Sequence, residues 1–131
     1  MKKQAGFTLI EVMIVVVIVS VIAAFAYPAY TDSVRKARRA DGTSALLEVA
    51  NHFERCFTNS GRYTGAGCPA DQDSVEGFYR ITVGVPTAST YTLTATPQNE
   101  QLGDVGDCPT MTLTEAGVKT PDPDPNRCWN N

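Results

Sequence analysis

The chain has 131 residues and a formal net charge of −3, enough length for one domain plus one long helix. From Asp41 onward, 5 Lys/Arg stand against 12 Asp/Glu, a formal −7. Nucleic-acid binding is dominated by phosphate neutralisation, so this balance gives no support for a DNA-binding head, and no nucleic-acid partner is expected.

The first element is the apolar run from Phe7 to Tyr27, in which Glu11 is the one strongly polar residue. At ~1.5 Å per residue it makes a helix roughly 30 Å long, enough to cross a hydrocarbon core. A carboxylate near the start of such a helix is costly in lipid and asks for a reason. Glu11 lies four residues after Phe7, on the same helix face. If the chain is cut between Gly6 and Phe7, the new α-amino group of Phe7 is a cation that Glu11 can pair with, in its own chain or a neighbour. An ordinary secretory signal ending at Ala23-Ala24-Phe25-Ala26, or a plain single-pass anchor, leaves Glu11 unexplained.

Pro28 follows and is expected to kink the helix or loosen its preceding turn. Tyr27 and Tyr30 flank it, as aromatics do where a bilayer ends. The basic cluster Arg35-Lys36-Ala37-Arg38-Arg39 runs against the positive-inside rule and reads as a solvated or headgroup-contacting face. In a filament it would meet acidic residues of neighbours. From Ser44 to Phe57 the pattern is amphipathic. Leu46, Val49, Ala50, Phe53 and Phe57 form a stripe to pack under a sheet, while Glu48, His52 and Glu54 face away. Gly42 is expected to be a soft spot, and Asn59-Ser60-Gly61 a helix stop. If continuous from Phe7, this helix is ~80 Å long by its rise per residue, so its first half needs lipid or other subunits to cover it.

Residues 61–77 read as a loop, broken by Gly61, Gly65, Gly67 and Pro69. Strands are expected at 78–85, at 90–96 with Tyr91, Leu93 and Ala95 on one face, and at 110–114 with Met111 and Leu113 inward. Residues 97–107 are a loop, Val118-Lys119 a brief pairing, and the proline-rich 120–126 irregular. The expected architecture is α+β: a long N-terminal helix (7–30 in membrane or filament core, 31–59 amphipathic) whose C-terminal half packs on a small antiparallel sheet of three or four strands within about 78–119.

Cys56, Cys68, Cys108 and Cys128, behind an export-type segment, read as two disulfides formed in an oxidising compartment. Three connectivities are open. Local pairing, Cys56–Cys68 and Cys108–Cys128, is favoured because each closes a loop bearing turn residues, worth ~3 kcal/mol in the chain-entropy model. A zinc site lacks Cys-x-x-Cys spacing. Asp104/Asp107 and Asp122/Asp124 do not follow a calcium-loop spacing, and His52 has no nucleophile arrangement beside it. No catalytic residue, cofactor or metal is expected.

Met1-Lys-Lys-Gln-Ala-Gly6 followed by Phe7-Thr-Leu-Ile-Glu11-Val resembles the class III leader and N-terminus of a type IV pilin. The resemblance implies prepilin peptidase cleavage between Gly6 and Phe7, leaving 1–6 as leader and 31–131 as the head. It also implies N-methylation of Phe7 and a subunit-docking role for Glu11. Tyr91-Thr-Leu-Thr-Ala-Thr-Pro97, Asp107-Cys108, Met111-Thr-Leu-Thr-Glu-Ala-Gly117 and Cys128-Trp129 are similar to minor pilins of the PilE type from twitching bacteria. There the last two cysteines close the C-terminal loop, here 108–128. The implied protein is a non-enzymatic minor subunit of a type IV pilus, with roles in twitching motility or adhesion. Its implied partners are other pilins, prepilin peptidase, the inner-membrane assembly machinery and, before assembly, the membrane. It would sit single-pass in the inner membrane, N-terminus cytoplasmic and head periplasmic, and then in the surface pilus. The alternatives are a type II secretion pseudopilin and a membrane-anchored binding module that never polymerises.

Overall fold

The computed structural model describes residues 6–121 and 127–129; Asp122 and Asp124, and leader residues 1–5, lie outside the described residues. The chain divides into two units, Met1–Val34 and Arg35–Asn131.

Helix α1 runs from Leu9 to Ser60. In the first unit its opening turn is capped by Thr8, whose Oγ1 accepts the Glu11 N–H at 3.3 Å. Ser20 hides its hydroxyl in its own helix by donating to the Val16 carbonyl at 2.7 Å. The helix continues through Pro28 although proline supplies no N–H there. The large apolar side chains from Phe7 to Tyr30 are all exposed. Among the described residues, α1 is long and apolar enough to cross a membrane.

The second unit carries a five-stranded antiparallel sheet in chain order: β1 (Gln72–Asp73), β2 (Tyr79–Val83), β3 (Thr92–Pro97), β4 (Met111–Thr114) and β5 (Lys119–Thr120). The sequence reading of three or four strands missed β1, which lies in the stretch 61–77 read as loop and has two residues, too few for an alternating pattern; the brief pairing expected at Val118-Lys119 is β5. Register is set by period-two alternation: Val83 faces Leu93, Leu93 faces Leu113, and Ala95 faces Met111. Tyr79, Ile81, Tyr91, Leu93, Ala95, Met111 and Leu113 thus turn to one side and are buried.

They meet a stripe on α1 that begins earlier than its apolar residues suggest. Arg39, Gly42, Leu46, Val49, Phe53 and Cys56 recur at three-and-four spacing and are buried. Burial of each large apolar side chain contributes about 1.5–3 kcal/mol, so this face holds the head to its helix. Phe57, expected in the stripe, is exposed and leans on Tyr63 with ring centroids 4.7 Å apart. Cys56, one position earlier, takes the inward place. Gly42 is no soft spot. A Cβ there would lie 2.8 Å from Tyr79 Cγ and Met111 Cε, so the missing side chain is where the sheet sits on the helix.

At the far end of α1, Phe53 stacks on Tyr91 with centroids 4.7 Å apart, and Tyr63 closes edge-on to both. Both tyrosine hydroxyls donate to Glu54 Oε1, at 3.0 Å from Tyr63 and 3.3 Å from Tyr91. Cys56 pairs with Cys68 and Cys108 with Cys128, at Cα separations of 5.2 and 5.8 Å. The first bond pins the loop that delivers Tyr63. The second fastens the C-terminal segment, whose Trp129 Nε1 donates to the Thr120 carbonyl at 2.7 Å.

Candidate functional site

Two groups of residues bear on assembly, one in each unit. In the first unit are Phe7 and Glu11 at the start of the exposed apolar helix, with Gly6 just before it. Glu11 is the acidic residue of the first turn of α1, where the helix dipole favours negative charge. Its carboxylate has no charged partner among the described residues.

In the second unit the basic cluster divides in a way the sequence did not reveal. Arg39 is 2% exposed and makes a two-point contact with Asp104: Nε donates to Oδ2 at 2.7 Å and Nη2 to Oδ1 at 2.6 Å. Asp107 adds a longer-range carboxylate at 3.9 Å. Hydrogen bonding to the Asp104 carboxylate, which accepts from Arg39, holds the Arg39 guanidinium above its ordinary pKa. The Gln101 amide nitrogen reaches the Arg35 carbonyl at 3.0 Å, Asp104 Oδ2 at 3.0 Å and the Tyr79 hydroxyl at 3.2 Å. Arg38 donates to Glu100 at 2.6 Å and lies 4.3 Å over the Phe78 ring. The expectation that this cluster is solvated, or meets a neighbour's acids, is therefore corrected for Arg38 and Arg39. The chain's own acids meet them.

Glu100 and Asp104 sit on a 3-10 turn, η1 (Asn99–Asp104), and Asp107 just after it, all inside the stretch 97–107 read as loop. No local pattern betrays the partnership, because Arg39 and Asp104 are 65 residues apart. One signal was available. Extending the three-and-four spacing of Leu46 and Val49 upstream passes through Gly42 to Arg39.

Asp41 is a second unread residue. Its carboxylate accepts from the Ser74 hydroxyl, from the Glu76 N–H at 3.1 Å and from the Phe78 N–H at 3.3 Å, fixing the turn before β2. Among the described residues no group of three His, Cys, Asp or Glu is placed to hold a metal ion. Asp104 is instead spent on Arg39. His52 and Glu48 are exposed on α1.

Burial pushes the Tyr79 hydroxyl up from 10.0 to about 12. A raised acid keeps its proton longer in the fold than in the unfolded chain. The resulting stability is intact below pH 10 and is lost as pH rises through about 12. Alkaline titration followed by near-ultraviolet circular dichroism should show the head loosening in that window. Tyr79→Phe should lessen that dependence without abolishing it, because burial also raises the Tyr91 and Tyr63 hydroxyls.

A family model described as "Type IV minor pilin ComP, DNA uptake sequence receptor" matches residues 28–112, and the prokaryotic N-terminal methylation motif matches residues 1–27. The chain belongs to the type IV minor pilin family. As a minor pilin it is a structural protein rather than an enzyme.

A Type IV major fimbrial protein FimA of Dichelobacter nodosus is 35% identical over 104 residues, 73% of this chain and 62% of that protein. A fimbrial protein of Moraxella nonliquefaciens is 40% identical over 72 residues, 50% of this chain and 46% of its own length. The minor pilin thus spans under two thirds of these curated relatives. The non-core minor pilin PilV of Neisseria meningitidis matches in fold, with a TM-score of 0.52 and 21% identity, over 67% of this chain and 86% of that one. The fold class expected from the sequence, a long N-terminal helix with an antiparallel sheet and two disulfides, is that of this pilin.

Proposed function

We propose that this minor pilin is held in the inner membrane by the Phe7–Tyr27 helix, residues 1–6 cytoplasmic and the head periplasmic. Prepilin peptidase cuts between Gly6 and Phe7 and methylates the new amine. The assembly machinery then moves the subunit from lipid into a pilus, where apolar helices of other pilins replace lipid. Pro28 is the point at which α1 bends to fit that packing. The subunit serves twitching motility or adhesion, within the fibre or in starting it.

One observation carries the reading: from Phe7 to Tyr30 the capped helix exposes all its large apolar side chains, interrupted by a single carboxylate at Glu11. Exposed apolar surface of that extent needs lipid or protein to cover it. A carboxylate in it needs a cation, and the free amine of Phe7 supplies one. Glu11→Ala should leave cleavage largely intact and lower incorporation into fibres by about a hundredfold or more, since a buried charge pair that loses one partner costs about 3–5 kcal/mol. Immunoblots of sheared fibres against whole cells measure this. Unchanged incorporation would overturn the pairing role.

A DNA-receptor reading is favoured by the description of the matched family. The charge of this head weighs against it, since Arg38, Arg39 and Arg80 are each engaged by the chain's own carboxylates. Salt-dependent retention of duplex DNA by the full chain would decide for it. A type II secretion pseudopilin shares the same N-terminus; a secretion defect without a motility defect on deletion would favour that role.

A further inference from the structure

Helix α1 begins at Leu9, and Gly6, Phe7 and Thr8 before it lie outside the helix. Thr8 is the N-cap. Its carbonyl accepts the first helical bond, from the Val12 N–H at 3.3 Å, and its Oγ1 accepts the Glu11 N–H at 3.3 Å. In an α-helix each N–H donates to the carbonyl four residues earlier. One more residue of helix would therefore send the Glu11 N–H to the Phe7 carbonyl. A second would send the Ile10 N–H to the carbonyl of Gly6. The Thr8 hydroxyl holds the first of these donors and so stops the helix short of both. Thr8 and Glu11 also stand at the Thr and Glu positions of a capping box, which marks the same helix start.

The Gly6 carbonyl belongs to the proposed leader junction. Hydrolysis there adds water across the Gly6–Phe7 amide: the C–N bond breaks, Gly6 keeps the new oxygen as a carboxylate, and the Phe7 nitrogen takes up protons as the amine. Water has to reach the carbonyl carbon, and the carbonyl oxygen has to be free for hydrogen bonds as negative charge develops on it. A carbonyl tied to the N–H four residues on, inside a turn of helix, offers neither. Losing the Thr8 hydroxyl pushes the chain toward that state. The N–H groups of a first turn have no partner within their helix, and beside an apolar run an unpaired one is costly enough to seek another acceptor. For the Glu11 N–H the acceptor that continues the helix is the Phe7 carbonyl, one residue from the junction.

We propose that Thr8 is a positioning residue for leader removal: by capping α1 it keeps the Gly6–Phe7 bond in non-helical backbone, where a peptidase can cut it. Thr8 acts through the backbone it holds and takes no part in the hydrolysis. The inference rests on the processing reading above. The competing account is that the peptidase reads the threonine side chain itself.

The test follows cleavage of the full-length chain in phospholipid vesicles by purified prepilin peptidase, with the released leader measured by mass spectrometry. Three variants are compared with the parent. Thr8→Val keeps the shape of the side chain and loses the acceptor, whereas Thr8→Ser and Thr8→Asn change the shape and keep an acceptor. Thr8 is exposed, so none of them disturbs a packed core. The cap predicts that kcat/KM falls about fivefold or more for Thr8→Val and stays within about twofold of the parent for Thr8→Ser and Thr8→Asn. Growth of the helix lowers only the fraction of substrate in the cuttable form, so the change appears in KM and leaves kcat as it was. Cleavage of Thr8→Val at the parent's rate would overturn the proposal. Slow cleavage of all three would overturn it too, and would assign the effect to recognition of threonine by the peptidase. If the parent itself is not cut between Gly6 and Phe7, the processing reading fails and the role of Thr8 with it.

Discussion

Arg39→Ala should destabilise the head by about 3–5 kcal/mol, the cost of breaking a buried ion pair from one side. The loss comes less from the missing attraction than from what stays behind. Asp104 is 1% exposed and would be left buried with no cation in contact, while Gln101 would lose the partner that orients the carboxylate it donates to. Arg39→Lys should recover part of the loss, because an ammonium supplies charge but not the two-point fork made by Nε and Nη2. Arg39→Met with Asp104→Leu should be nearly neutral, since no orphaned charge remains. Urea unfolding of the full chain in detergent, followed by near-ultraviolet circular dichroism, measures all three. An Arg39→Ala loss below about 1 kcal/mol would put the pair in the class of exposed salt bridges and contradict its burial.

Gly42→Ala should lower stability by about 1–3 kcal/mol, although alanine is the better helix former by about 1 kcal/mol. The sign is set by space. The added methyl would stand 2.8 Å from Tyr79 Cγ and Cδ2 and from Met111 Cε. Tyr79 is packed on its other side, so the helix and sheet have to separate. A larger side chain, as in Gly42→Leu, should cost more and expose the face built by Leu46 and Ile81. Gly106→Ala is the control, because its Cβ would meet nothing within 4 Å and its φ is ordinary. That change should stay within about 0.5 kcal/mol. Thermal unfolding of the three variants side by side checks the order. A stabilised Gly42→Ala would mean that the sheet does not rest on α1 at this point.

These two residues mark the boundary of what the sequence makes legible. The apolar run with its single carboxylate is a local signal, and so are the alternating strands at Tyr79–Val83, Thr92–Pro97 and Met111–Thr114. The favoured local pairing of the cysteines matches the two bonds in the structure for the same reason: short loops are visible along the chain. Arg39 is different. In sequence it is one of four cations in a row of five, and only the fold picks it out by turning it toward Asp104. Gly42 reads as a helix weakness because propensity tables know nothing of the ring that fills its place. Strand β1 is a product of pairing with its neighbour, with no periodicity of its own. The turn η1 was hidden because 97–107 has the composition of a loop, and its inward residues Gln101 and Asp104 are picked out only by their contacts with Arg39, Tyr79 and the Arg35 carbonyl.

The central claim is that the Phe7 amine, freed from the leader, carries this subunit into a fibre. Mass spectrometry of sheared surface fibres, searched for the N-terminal peptide, tests it most directly. The account predicts a peptide that begins at N-methylated Phe7 in the fibre fraction. A peptide in which Gly6 and Phe7 are still joined, in protein that has reached its final location, would contradict it.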